Sequence, residues 1–295
     1  MILNILLTVF AVATAVFLVV LVTAWRKQPA APSLEGAAVS FVANFFDTLG
    51  IGNFATTTAY LKFRRIVPDE LIPATMMVGY CLPTAAEAFI FTTAIKVDPV
   101  LLAVSIASCI GGALVGVSVA ARLPVTPIRL VMGVGLLIAA SLMVMSNTGL
   151  MPPGGTATSL PPGPFALVVA ESFLFGILVN LGVGNFAPTL VLVSLLGMDP
   201  RAAFPIMMGS GAMLVLVAGI RIIRTRPLSL PLVIGMTVGG VPAVLIAAFI
   251  VKSLPIEPLR WGVVVVVTYA GAMMLRAAVV ERPAAAAAAI EAPST

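Results

Sequence analysis

The sequence predicts an all-α polytopic membrane protein with seven transmembrane helices, two re-entrant helical hairpins and an inverted-topology internal repeat. Composition, a motif present twice and the distribution of basic residues carry that expectation. Hydrophobic residues make up 61% of 295 positions, charged residues 9%, and mean hydropathy is +1.18. Soluble domains carry about 25% charged residues, so this chain is built for lipid. Leu49-Gly50-Ile51-Gly52-Asn53-Phe54 returns as Leu181-Gly182-Val183-Gly184-Asn185-Phe186, 132 residues later. Glycine is a poor helix residue, and Asn in lipid must find hydrogen-bond partners, so the motif marks a break in each segment.

Taken in order, residues 2–24 form a first span. It lacks a basic n-region, is too long for a signal peptide, and is followed at once by Arg26-Lys27, which places its C-terminal end in the cytoplasm. With the proline-bearing linker to Glu35 it makes a segment 1–35 outside the repeat. Repeat 1 covers 36–147, with a hairpin over 36–66 and spans at 71–95, 99–121 and 126–147. A charge-free Pro/Gly/Thr/Ser loop occupies 148–164. Repeat 2 covers 165–280, with a hairpin over 165–198 and spans at 203–220, 229–251 and 257–280. The Ala-rich end, 281–295, reads as a disordered tail. Pro73 and Pro205, Met76 and Met208, and Gly79 and Gly211 keep the spacing of 132, while Leu123–Arg129 matches Leu254–Arg260 at 131. A fixed long period of this kind indicates two related halves.

Basic residues decide between spanning segments and hairpins. If 36–61 and 165–198 both span, Lys and Arg divide 8 against 8 across the membrane. If both turn back, only Lys96, Arg201, Lys252 and Arg260 remain outside, and 12 lie inside. The positive-inside rule favours the hairpins, with the N-terminus outside and the C-terminus cytoplasmic. Length agrees: Gly36 to Leu49 is 14 residues, about 21 Å of helix, short of the ~30 Å hydrocarbon core.

The second limb of each hairpin then starts at a mid-membrane tip, with free backbone N–H groups and the positive end of its dipole facing the protein centre. Asn53 and Asn185 stand at the N-cap positions, and Gly50, Gly52, Gly182 and Gly184 permit close approach of a ligand to the backbone. Thr56, Thr57, Thr58 and Thr189 follow within the first turn and add hydroxyl donors. Two such ends make a site for a small anion without a basic side chain. The competing explanation is that Gly-x-Gly only allows tight helix packing. Two copies, each followed by Asn, favour the ligand site.

The duplicated apolar halves, each opening with a Gly-x-Gly motif, resemble the TauE/SafE family of membrane anion transporters over about 36–280. The resemblance implies sulfite and organosulfonates such as sulfoacetate as substrates, export as the direction, and Gly50, Gly52, Gly182 and Gly184 as site residues. This chain carries Asn53-Phe54 and Asn185-Phe186 where the family pattern continues with more glycine.

Asp47 and Glu87 lie inside apolar segments, where a carboxylate costs about 2.5–3.5 kcal/mol. They are the candidates for proton coupling, against the alternative of hydrogen-bonded carboxyls that fix helix packing. Glu171 reads as nearer its hairpin's mouth, reaching the interface. Arg129 and Arg260 read as interface anchors, and Met76, Met77, Met207 and Met208 as core. Cys81 and Cys109 read as buried thiols. The absence of His removes the commonest metal ligand and general base, so neither metal nor cofactor is expected. The formal charge of +5 is explained by topology, with no nucleic-acid partner. The expected partners are a small anion and the bilayer of the cytoplasmic membrane, with homodimerisation open. The leading function is a secondary transporter working by alternating access. A passive channel is the alternative, ahead of an intramembrane enzyme or an assembly factor.

Overall fold

The computed structural model describes residues 1–48, 53–119, 125–150, 155–179, 185–253 and, with interruptions, 258–279. Among the described residues these helices follow one another: α1 (Ile2–Lys27), α2 (Leu34–Thr48), α3 (Phe54–Arg64), α4 (Ile72–Gly79), α5 (Cys81–Ala94), α6 (Pro99–Val119), α7 (Val125–Asn147), α8 (Pro162–Val179), α9 (Phe186–Leu195), α10 (Ala203–Thr225) and α11 (Leu230–Ser253). An apolar helix over Val267–Val279 ends the described chain. Among the described residues five helices are long and apolar enough to cross a membrane: Ile2–Lys27, Ile72–Ala94, Pro99–Gly116, Pro200–Thr225 and Leu230–Ile250. The molecule is a multi-pass helical membrane protein. Its outer surface agrees, because Val12 and Val19 of α1 and Leu245 and Phe249 of α11 are large, apolar and exposed.

The shorter helices come in antiparallel pairs. Helix α2 has 15 residues and α3 has 11, about 22 and 16 Å at ~1.5 Å per residue. Glu35, at the start of α2, accepts hydrogen bonds from Tyr60 Oη (2.9 Å) and Arg64 Nε (3.0 Å) near the end of α3, so both outer ends lie together. The Arg64 guanidinium, helped by the Tyr60 hydroxyl, holds the Glu35 carboxyl below the usual carboxylate range. The second pair is closed by backbone: Ala157 N–H donates to Gly197 O (3.3 Å) and Asp199 N–H to Ala157 O (3.0 Å). The segment before α8 therefore meets the segment after α9. Asp98 N–H donates to Thr158 O (2.9 Å), which brings the α5–α6 connection to the same end.

Packing exchanges the halves. Helix α2 lies mainly against α11, and α8 against α6, while α5 packs on α10. Shifted by 131 residues, α2 falls on α8 and α6 on α11, so the two exchanged contacts are counterparts. Small residues let the backbones touch. A Cβ on Gly239 would fall on the Ala37 carbonyl, one on Gly176 on the Cys109 carbonyl, and one on Gly112 on the Phe173 carbonyl. The α5–α10 contact is aromatic, with the Phe91 and Phe204 rings 5.0 Å apart.

One helix is interrupted. Pro83 has no N–H to give to Gly79 O, and the regular helix breaks at Tyr80 between α4 and α5. Thr237 Oγ1 reaches the freed Gly79 carbonyl from α11 at 3.4 Å. The counterpart of Pro83 at the spacing of 132 is Val215, and α10 runs through unbroken.

These contacts make the glycines unequal. Gly176→Ala or Gly239→Ala is expected to lower stability by about 1–3 kcal/mol, as overpacking does. Gly135→Ala, with open space around it inside α7, is expected to keep stability or raise it by up to about 1 kcal/mol. Thermal unfolding of the three variants in detergent measures the difference.

Candidate functional site

The site is built where α2 ends and α3 begins. Asn53 and Asn185 occupy the N-cap positions of α3 and α9, and neither side chain bonds the first turn of its helix. Asn53 turns both amide hydrogens elsewhere: Nδ2 donates to Asp47 Oδ2 (2.7 Å) and to Asn44 Oδ1 (3.1 Å). Asn44 Nδ2 donates to Ser40 O (2.8 Å) and to Ser40 Oγ (2.9 Å), and Ser40 Oγ donates to Met236 O of α11 (2.6 Å). A polar chain thus runs from α11 through α2 to the first residue before α3. Gly240 makes room for it, since a Cβ there would meet Asn44 Nδ2, Ser40 Oγ and the Pro83 ring. Every hydrogen on the Asn44 and Asn53 amides has an acceptor, which is what burial demands.

Glu87 closes the other side of α2. It is fully buried on α5, with Oε1 2.7 Å from Thr48 Oγ1 and Oε2 without a hydrogen-bond partner. Thr48 Oγ1 also lies 2.8 Å from Asn44 O. One hydroxyl hydrogen cannot serve two acceptors, whereas a protonated Glu87 donates to Thr48 and leaves the Thr48 hydrogen for Asn44. Asp47 and Glu87 are thus held on either side of one helix end, through Asn53 and Thr48.

The first turns of α3 and α9 each hold a buried threonine, Thr57 and Thr189. Thr57 Oγ1 is hydrogen-bonded to Tyr80 Oη, and the Phe54 and Tyr80 rings meet edge on at 5.4 Å. The break at Tyr80 sets this side chain against α3. Thr58 Oγ1 contacts Met76 Sδ at 3.3 Å. Thr189, the counterpart of Thr57, donates instead to Glu171 Oε1 of α8 (2.6 Å). Glu171 Oε2 is buried without a partner. Glu171 therefore faces α9 and does not reach for the interface, as its distance from the tip motif had led us to expect. Sequence reasoning also missed Asn44, Thr48 and Tyr80. The run Ser40, Asn44, Asp47, Thr48, at helical spacing on one face of an apolar segment, was the available signal.

Of the other expected site residues, Gly50, Gly52, Gly182 and Gly184 lie outside the described residues, and Thr56 belongs to the first turn of α3. Among the described residues the Asn185 amide has no hydrogen-bond partner, so the two N-caps differ: Asn53 is committed and Asn185 is not. No three His, Cys, Asp or Glu side chains among them form a metal-binding group.

A protein-family model described as Sulfite exporter TauE/SafE matches residues 36–274. No curated protein and no solved structure matches the chain.

Asn53→Ala is expected to cost about 1–3 kcal/mol, because it removes the amide hydrogen bonds to buried Asn44 and half-buried Asp47. Asn185→Ala is expected to leave stability unchanged. Thermal unfolding of the two variants side by side tests the asymmetry.

Proposed function

We propose that this chain, which belongs to the TauE/SafE sulfite exporter family and is thus a membrane transporter of sulfur anions, moves sulfite or an organosulfonate such as sulfoacetate by alternating access. The observation that carries the reading is the pairing of chain ends. In the proposed topology the α5–α6 connection, the segment before α8 and the segment after α9 all lie outside, and backbone hydrogen bonds join all three. If 165–198 crossed the membrane, the last two would lie on opposite faces. The cytoplasmic side is consistent: Glu35 joins Tyr60 and Arg64, Ser33 N–H donates to Pro231 O (2.8 Å), and Ser229 N–H donates to Thr75 Oγ1 (3.1 Å). Seven spans plus two re-entrant hairpins, entering from opposite faces as an inverted repeat over 36–147 and 165–280, account for these contacts. The N-terminus is outside, the loop 148–164 outside, and the C-terminal tail 281–295 cytoplasmic. The cell membrane is the proposed location.

In this reading the anion lies between the starts of α3 and α9, and the positive ends of both helices would face it. Gly50, Gly52, Gly182 and Gly184 would offer backbone N–H groups, and Asn185, Thr189, Thr56 and Thr57 polar side chains. Asn53 acts indirectly, holding Asp47 beside the start of α3. The exchanged packing gives the motion a mechanical basis, since each hairpin's first limb is bound to a helix of the other half. Each hairpin can then rock as a body with the helix of the other half that clasps it. Asp47 and Glu87 are the proposed proton carriers of the first half. A passive channel would share this site and lack coupling.

Proteoliposomes test the reading. Saturable uptake of labelled sulfite and sulfoacetate that follows an imposed pH gradient is the expected result, and Asp47→Asn is expected to flatten that response. Uptake indifferent to the gradient would replace the coupled transporter by a channel or uniporter. Absence of uptake for both anions would overturn the substrate.

A further inference from the structure

We propose that Glu171 is the proton site of the second hairpin, and that its protonation decides whether the Thr189 hydroxyl is free to bind the anion. The inference rests on the anion site described above and names a residue that site has not yet used.

A threonine hydroxyl has one hydrogen, and an ionised carboxylate only accepts. At 2.6 Å from Glu171 Oε1, the Thr189 hydrogen is therefore committed to Glu171 as long as that carboxyl is charged. Thr189 is fully buried in the first turn of α9, beside the uncommitted amide of Asn185. In this state the hydroxyl presents lone pairs to the site, and the negative charge of Glu171 lies behind it. Both oppose an anion.

One proton reverses the contact. A proton on Oε2 would be a buried donor with no acceptor, since Oε2 has no partner. On Oε1 the same proton is donated to Thr189 Oγ1 across the existing contact. The Thr189 hydrogen is then released and can turn to an anion oxygen. No other bond forms or breaks: the proton comes from water, and it leaves when the anion leaves. Anion and proton therefore bind together, one proton per anion at this site.

The surroundings isolate this switch. Helices α6 and α9, which pack on α8, carry no Lys or Arg and a single titratable side chain, Cys109 on α6. On α8 itself Glu171 is the only charged residue, with Ser172 beside it. Among the described residues of these helices no cation is supplied to hold the carboxylate permanently charged. The corresponding hydroxyl of the first half, Thr57, is paired with Tyr80 Oη, a neutral donor and acceptor. The residues equivalent to Glu171 in that half are Val39 and Ser40 at spacings of 132 and 131, so the device belongs to the second hairpin alone.

The test is the pH dependence of sulfoacetate affinity, measured by calorimetry on the full chain in detergent. Both acidic groups of this probe stay ionised through the neutral range, so any dependence belongs to the protein. Wild-type Kd is expected to weaken about tenfold for each pH unit above the Glu171 titration. Glu171→Gln, whose amide donates to Thr189 permanently, is expected to keep the tight low-pH affinity and lose one proton from the slope. Thr189→Val breaks the contact from the other side and serves if Glu171→Gln does not fold. It is expected to bind on the order of tenfold more weakly at low pH, from loss of one hydrogen bond to a charged group, with a shallower slope, because only the charge of Glu171 then couples to the anion. A wild-type slope in Glu171→Gln, or a wild-type protein whose affinity ignores pH, overturns the role of Glu171 and leaves the anion site standing, and a wild-type slope in Thr189→Val overturns the hydroxyl switch. A wild-type protein that binds no sulfoacetate at any pH overturns the sulfonate site, and this inference with it.

Discussion

The rest of the structure depends on the rule that a polar group buried in a bundle of apolar helices must find its partner inside the protein. The start of α3 meets that rule through a chain of short polar side chains. Met236 O, Ser40, Asn44, Asn53 and Asp47 are linked in sequence, and each amide hydrogen has an acceptor. A network of this kind is rigid because each member fixes the next one's orientation, and one unsatisfied group would cost more than the network gains per bond. It also crosses between halves, from α11 to α2. The polar constraint and the exchanged packing are therefore one design: the limb that carries the network is the limb clasped by the other half.

Glycine makes that clasp close enough. At Gly112, Gly176 and Gly239 the opposing backbone carbonyl occupies the place a Cβ would take, so the helices are held by backbone contact over a long stretch. Without a hydrophobic driving force between helices in lipid, this density of contact is what holds them together. Gly240 serves differently, because the space it leaves is filled by the polar chain itself.

Much of this was legible in the sequence. Composition alone gave the membrane class, and the repeat could be read because Gly50, Asn53, Pro73 and Met76 return at one spacing. The antiparallel limbs were foreshadowed by charge, since Lys62, Arg64 and Arg65 sit badly outside. What the sequence concealed was direction. Asn53 and Asn185 are identical in their local motif, and nothing in that motif says that one amide is committed to Asp47 and Asn44 while the other is not. The difference comes from residues ten positions away or on other helices. Asn44 has Gly176 as its counterpart, and Asp47 has Val179. Glu171 misled for the same reason, because its distance from the tip motif suggested the interface, and only the antiparallel return of α9 brings Thr189 beside it.

These substitutions show that duplication preserved the frame and not the chemistry. The motif glycines and the prolines at one spacing recur in both halves of the sequence. The carboxyls do not: Asp47 and Glu87 have Val179 and Gly219 as counterparts, and Glu171 has Val39 or Ser40. A symmetric site would bind an anion equally from both hairpins and give a proton no preferred place. With the Asn53 amide bound to a carboxylate and the Asn185 amide without a partner among the described residues, the two ends offer the anion unequal partners. On the proposed reading, the inverted frame supplies the two-sided access, and the unequal carboxyls attach a proton to it.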